Sequence, residues 1–428
     1  TDLLYHLFSH VVLGANIQTI RFPSFDKFPF MEQWKEYKLG EVATFITDKT
    51  DASLFNKRNY ISTENILPNR CGIKEASSLP DEGKVIAFSK NDILISNIRP
   101  YFKKIWLASI DGGCSNDVIC LRAKDNVLCQ YLYYLLSQDA FFDYVMLGAK
   151  GTKMPRGDRN QIIKWEIALP CLGEQQRIVS ILSFLDDKIE VNRKINSNLE
   201  EQAKALFKSW FIDFEPFKDG KFIDSELGKI PDGWRASTLR EIAEITMGTS
   251  PNGKSYNKNG DGAVFYQGRA EFGFRFPHRN FFTSEPKKFA ETNSTLLSVR
   301  APVGDINMAN EKCCIGRGLA SIKSRQGYNS FIFYLLASQK ARFNCYNSEG
   351  TVFGCINKQD LENFKVVIPN QMVINKFQEI VCPIDELIKA HEYEAHRVSL
   401  LRDTLLPKLM SGEIDVEHSK LLFILRLR

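Results

Sequence analysis

Trp34-Lys-Glu-Tyr-Lys-Leu39-Gly-Glu41-Val-Ala43 stands about 200 residues ahead of Trp234-Arg-Ala-Ser-Thr-Leu239-Arg-Glu241-Ile-Ala243. The correspondence continues outward from that pair. Asn91-Asp-Ile-Leu-Ile-Ser96-Asn-Ile-Arg99-Pro100 echoes Asn293-Ser-Thr-Leu-Leu-Ser298-Val-Arg300-Ala-Pro302, and Tyr131–Gln138 answers Phe331–Gln339. Gly151-Thr152 through Trp165 to Pro170 matches Gly350-Thr351 through Phe364 to Pro369 without a gap. Asp186-Asp187 then falls against Asp385-Glu386, and Leu206 against Leu405. Matches in one order along the whole chain define a tandem duplication.

Each repeat has two parts. The first mixes short β-rich runs (Val85–Phe88, Ile93–Ile95, Val366–Ile368) with Gly, Asn, Asp and Pro punctuation, the marks of strands and turns. The second reads as one long helix. Apolar positions Ile178, Leu182, Leu185, Ile189, Ile195, Leu199, Ala203 and Leu206 step by threes and fours, with one longer step across Asn192. Phe377, Ile384, Leu387, His391, Val398, Leu401 and Leu405 repeat the pattern. Pro383 predicts a kink in the second helix or a later start. A helix of about 35 residues is about 50 Å long, too long for one small globule. The economical solution pairs the two helices antiparallel as a coiled-coil spacer, with Ile178, Leu182, Leu185, Ile189, Leu199, Leu206, Phe377, Leu387, Val398, Leu401 and Leu405 in the seam. Folding of each helix onto its own globule is the alternative.

The fold expected is therefore α+β, with two globular domains separated by two long antiparallel helices and related by a pseudo-twofold axis. The boundaries are 1–30, an N-terminal extension left out of the functional argument; 31–170, the first globule; 171–215, the first helix; 216–233, a junction; 234–369, the second globule; 370–415, the second helix; and 416–428, a tail. The length of 428 residues favours more than one domain, and the 44% apolar and 12% aromatic content lets each half bury a core. Leu3 to Leu13 lacks the basic flank and cleavage site of a signal peptide, and no apolar run reaches the roughly 18 residues that cross a bilayer. Met31 opens a segment that reads as a natural beginning. The 10 cysteines fall without metal-ligand spacing, so reduced thiols are expected, and the histidines have no HExxH spacing. No metal site and no catalytic residues are expected. A GxxxxGK[ST] phosphate loop, a Gly-rich cofactor loop and the aromatic-flanked Pro-Pro motif of an adenine methyltransferase are all missing.

Several segments resemble the specificity subunits of Type I restriction-modification systems. They include Glu174-Gln175-Gln176-Arg177-Ile178 with Leu185–Glu190, the junction Phe211–Lys218 with Ser225–Trp234, and Leu405–Ile414. Gly151–Asn160 and Phe265–Gly273 resemble stretches of that family's target-recognition domains. The resemblance covers about residues 34–415; the first 30 residues and the apolar tail from Lys420 depart from it. It implies a non-catalytic reader of double-stranded DNA in a prokaryotic cytoplasm. It also implies two methyltransferase subunits around the helices and up to two translocase-nuclease subunits. By the same implication, S-adenosylmethionine, ATP and Mg belong to those partners and no cofactor to this chain.

A duplex attracts Lys and Arg through its phosphates, whereas sequence is read at base edges by planar or amide side chains. Net charge is only +5, but residues 234–369 hold 18 Lys and Arg against 11 Asp and Glu, and residues 34–170 hold 19 against 16. In the first globule the candidates are Arg99, Tyr101, Lys103, Lys104, Lys150, Lys153, Arg156 and Arg159. In the second they are Lys254, Tyr256, Gln267, Arg269, Arg275, His278, Arg279, Arg300 and Arg317. Lysines suit phosphates, arginines suit guanine O6 and N7, and Gln267 suits adenine N6 and N7. Two unlike readers imply a split, asymmetric target. A structural scaffold with protein-binding globules, or a self-contained DNA-modifying enzyme, would be distinguished by salt- and sequence-dependent duplex binding and by methyl transfer from the chain alone.

Overall fold

A computed structural model describes residues 34–80, 82–347 and 354–416. The 1–30 extension, the tail beyond Val416 and the Gly350-Thr351 pair lie outside the described residues. The chain divides into two units, 1–190 with 396–428 and 191–395.

Unit 1 holds two four-stranded sheets. One runs in the order Ala43–Phe45, Val118–Ala123, Ile93–Ser96, Ile105–Leu107, antiparallel throughout. Its middle strands are continuous apolar runs because they are covered on both faces; Ile93, Leu94, Val118 and Leu121 are fully buried or nearly so. The other runs Lys49–Asp51, Lys84–Phe88, Gly112–Cys114, Tyr60–Ile61, and its last pair is parallel. Two glycines permit that pairing. A Cβ on Gly112 would meet the Asn59 carbonyl oxygen at 2.2 Å, and one on Gly113 would meet the Phe55 ring at 2.5 Å. Lys35–Lys38 pairs antiparallel with Glu166–Leu169 and closes the globule.

Unit 2 repeats this plan. A four-stranded sheet runs Ala243–Met247, Leu319–Ser324, Thr295–Ser298, Ile306–Met308, and a five-stranded one again contains a parallel pair, Phe265–Tyr266 with Cys314–Ile315. Arg235–Thr238 pairs with Lys365–Ile368 as Lys35–Lys38 does in unit 1. The duplication read in the sequence is thus present strand for strand in the antiparallel four-stranded sheet and in the closing pair, while the sheet with the parallel pair differs at its edges. Cys313 and Cys314, adjacent in the chain, are buried free thiols, and burial pushes the Cys313 thiol up to about 12.

The long helices run Leu172–Phe211 and Gln371–Met410. The second begins before Pro383 and passes through it, contrary to the expected delay. Pro383 is exposed, so the carbonyl it leaves without a donor faces water. Within unit 1, Ile178, Leu182, Leu185, Ile189, Val398, Leu401 and Leu405 are buried as expected. Asp186 there accepts from Arg402 at 2.7 Å. Within unit 2, Phe377 is fully buried, and Leu199 and Leu206 are half-buried.

One seam assignment is corrected. Leu387 is exposed (49%), as is Ile195 (39%), while Ile388 is fully buried. Adjacent helical positions are about 100° apart, so only one of 387 and 388 can face inward. Opposite them the seam is polar, with Asn192 and Asn196 buried. Asn196 Nδ2 donates to the Ile388 carbonyl at 3.0 Å, its Oδ1 lies 3.0 Å from His391 Nδ1, and Asn192 Nδ2 donates to Glu394 at 2.9 Å. In unit 2 the two helical segments therefore run in opposite directions.

Candidate nucleic-acid interface

In unit 1 the candidate segments converge. Ile98 and Lys150 both form antiparallel bridges with Arg156. The Arg99 N–H donates to the Pro155 carbonyl at 2.8 Å, which fastens the 97–104 loop to the 150–159 loop. Gly157 is required where they cross, because a Cβ there would lie 2.7 Å from Val145 and 3.0 Å from Asn97 Oδ1. The turn Pro100–Phe102 is flanked by Arg99 and Lys103, both left-handed (φ 52° and 51°), a conformation that non-glycine residues seldom adopt. The turn thereby presents Tyr101 and Phe102 outward, with ring centroids 4.7 Å apart. An exposed aromatic pair beside cations suits both base contact and backbone packing.

Around that pair, Lys150, Lys153 and Arg156 are exposed and Arg159 is half-buried. Lys150 reaches Asp158 at 3.0 Å, and with the Asn160 N–H it holds that carboxyl below its usual range. Arg156 meets Asp117 at 3.0 Å, and Arg159 donates to the Asn116 carbonyl at 3.4 Å. These are exposed pairs of small intrinsic worth, which phosphates can displace at low cost. Two further candidates, Lys103 and Lys104, are half-buried and serve the fold. Lys104 donates to the Thr63 carbonyl at 2.6 Å, with burial and nearby Lys74 depressing its pKa. Lys103 reaches Asp139 at 2.8 Å. Both hold loops together. Arg70, which no local motif marks, joins them: its guanidinium bonds the Ser137 carbonyl and the Asp139 carboxylate.

In unit 2 three glycine-bearing loops pack backbone to backbone. A Cβ on Gly248 would meet the Gly316 oxygen at 2.2 Å, and one on Gly318 would meet the Gln267 oxygen at 2.7 Å. The Arg317 N–H donates to Ser250 Oγ at 3.2 Å, and Val299 N–H donates to the Gly318 carbonyl at 2.9 Å. This junction gathers Gln267, Arg317 and Arg300, all exposed. Lys254 is exposed on the neighbouring Gly253–Ser255 turn. His278 is exposed; Arg279 and Arg269 are exposed but paired, with Glu311 (2.8 Å) and Asp305. Tyr256 is half-buried, its ring on Phe265 (4.8 Å) and its hydroxyl donating to the Pro251 carbonyl at 3.2 Å.

Arg275 is the plainest correction. It is 1% exposed, bonded to Asp385 (2.9 Å) and Tyr334 Oη (2.8 Å), 3.5 Å from Glu200, and stacked 4.1 Å over the Phe333 ring. No duplex can reach it. Among the described residues no group of His, Cys, Asp and Glu is arranged to hold a metal, and no helix is long and apolar enough to cross a membrane.

A duplicated α+β scaffold carrying two unlike cationic loop sets defines a class of paired DNA-reading modules. The profile of the Type I restriction modification DNA specificity domain matches twice, at residues 31–201 and 231–396. The MjaIX specificity subunit of the Type I restriction enzyme of Methanocaldococcus jannaschii is 30% identical, over 90% of this chain and 89% of its own length. The HindI specificity subunit of Haemophilus influenzae is 25% identical, over 90% of this chain and 100% of its own. The crystal structure of a Type I S subunit from M. genitalium, 18% identical, superposes with a TM-score of 0.52 over 88% of this chain and 96% of its own. The chain belongs to the family of Type I restriction-modification specificity subunits, and its role in such a system is DNA specificity.

Proposed function

We propose that each unit reads one half of a bipartite, asymmetric double-stranded target, and that the long helices act as a coiled-coil spacer which sets the distance between halves. The observation carrying this reading is that one scaffold, built twice, presents different exposed side chains from the loops of its two copies: Tyr101, Lys150, Lys153 and Arg156, with half-buried Arg159, in one copy; Gln267, Arg317, Arg300 and Lys254 in the other. Lysines and the displaceable arginines hold phosphates, while Gln267 and Arg317 address base edges. The opposed contacts of Asn196 with Ile388 and His391 support the spacer.

On this reading the chain performs no chemistry of its own. Two methyltransferase subunits bind S-adenosylmethionine and modify adenine. Up to two translocase-nuclease subunits use ATP and Mg. The complex works in the cytoplasm.

Adenine-methylation mapping of a genome expressing this chain with its cognate methyltransferase tests the proposal; two dissimilar half-sites around an unread gap are expected. Adding four residues to each helix lengthens it by about 6 Å, close to two base pairs of DNA. The gap should grow while both half-sites stay the same. Altered half-sites, or an unchanged gap, would refute the spacer role.

A further inference from the structure

The loop after the short parallel strand is anchored differently in the two copies. In unit 1, Tyr60–Ile61 lies parallel to Gly113–Cys114; in unit 2, Phe265–Tyr266 lies parallel to Cys314–Ile315. Nine residues beyond Ile61 stands Arg70, and nine beyond Tyr266 stands Arg275. Both side chains turn into the protein. The segment that carries Arg275 also carries exposed Gln267, which the proposed function treats as a reader, and exposed His278 and Arg279.

The anchors differ. Arg70 has a left-handed backbone (φ 61°), and its N–H donates to the Lys103 carbonyl at 3.1 Å while the Asn69 N–H donates to the Phe102 carbonyl at 2.9 Å. Its guanidinium ends on Ser137 and Asp139, at the junction of the helices Cys129–Leu136 and Asp139–Leu147. All of those partners belong to the globule. Arg275 instead ends on Asp385 and Tyr334, near Glu200, while its N–H donates to Glu392 at 3.1 Å. Asp385 and Glu392 lie on the second long helix and Glu200 on the first. The matching Tyr134–Asp186 pair of unit 1 is closed by Arg402, a helix residue, and takes nothing from the loop.

We infer that Arg70 and Arg275 are equivalent positioning residues, the first fixing residues 62–74, and through the Phe102 and Lys103 carbonyls the turn that presents Tyr101, to its own globule, and the second fixing residues 267–280, which carry Gln267, to the long helices. This rests on the split-target reading. It follows that base choice in one half-site depends on helix residues and in the other does not.

The test uses the full chain assembled with its methyltransferase and maps adenine methylation genome-wide. Arg275→Met and Asp385→Asn should each raise methylation at sites mismatched in one half-site by roughly tenfold, the loss of about one base contact. Arg70→Met should do the same for the other half-site. Asp186→Asn should leave both half-sites strict, and no variant should change the gap. Arg275→Met/Asp385→Asn removes both buried charges together and carries the same expectation if the single variants assemble poorly. Equal relaxation of both half-sites, no relaxation by either arginine variant, or relaxation by Asp186→Asn overturns the inference. A parent complex without sequence preference would instead defeat the split-target reading itself.

Discussion

Replacing Arg402 by methionine should destabilise unit 1 by about 2 kcal/mol. The Arg402 guanidinium sits on the second long helix and donates to Asp186 Oδ1 at 2.7 Å; Tyr134 Oη donates to Asp186 Oδ2 at 2.7 Å. Burial opposes the Arg402 charge, but Asp186 and Asp403 more than offset it, so the guanidinium is held above its ordinary value. Methionine keeps the aliphatic packing and leaves Asp186 with only the tyrosine. Stripping one partner from a fully buried ion pair costs about 3–5 kcal/mol. Here the side chains are 18% and 32% exposed, so water recovers part of that and about 2 kcal/mol remains. For a unit of about 200 residues this lowers its melting temperature by roughly 4–8 °C, readable by calorimetry at neutral pH. Asp186→Asn added to Arg402→Met removes the stranded charge and should restore about half the loss. A single variant melting within about 1 °C of the parent, or a double variant no better than the single, would refute the reasoning.

Gln267→Ala should relax discrimination in one half-site with little change in salt dependence. Lys254→Ala should weaken binding to all duplexes alike and reduce the logarithmic salt slope by about one; filter binding across salt concentrations separates them. Burial raises the Glu392 carboxyl to about 7, against the N–H groups of Arg275 and Phe276 and the Arg275 charge. Its folded state then holds a proton that the unfolded chain releases near pH 4.5, so this group makes unit 2 less stable as pH rises from about 4.5 to 7 and contributes no slope above. Glu392→Gln should remove that slope in melts taken at several pH values. Asn196→Leu should change the melting temperature of unit 2 little or raise it, while methylation mapping shows a less uniform gap between half-sites.

The duplication, the long helices and the strand-rich globules were legible because each rests on local pattern: repeated order, a three-to-four step, alternating punctuation. Two loops that the sequence singled out, Arg99–Lys104 and Lys150–Arg159, do meet. It could not say which cations stay free. Arg275 is buried against a carboxylate 110 residues further along the chain, and half-buried Lys104 is held by a carbonyl 41 residues before it. Such partners arise only from tertiary folding, and nothing in composition marks them. Extending the repeat alignment across Ile61 and Tyr266 would have paired Arg70 with Arg275 and cast doubt on treating one as a reader. Leu387 was misplaced for a different reason. Leu387 and Ile388 are adjacent apolar residues, and the helical phase that chooses between them is set by buried Asn196, which periodicity counts as a gap.

That polar seam has a reason within the proposed function. An apolar stripe alone permits two long helices to slip by a heptad, since a hydrophobic contact has no direction. One heptad is about 10.5 Å of helix, close to three base pairs of DNA. A protein that only needed to hold together would be served by leucine at 192 and 196. On the proposed spacer reading the helices need one register, and Asn196 would supply it, because its amide meets the Ile388 carbonyl and His391 together. Any slip buries those groups without partners, at about 1–3 kcal/mol each. If the chain reads a split target as proposed, the stability given up at Asn192 and Asn196 would serve a uniform separation of its halves.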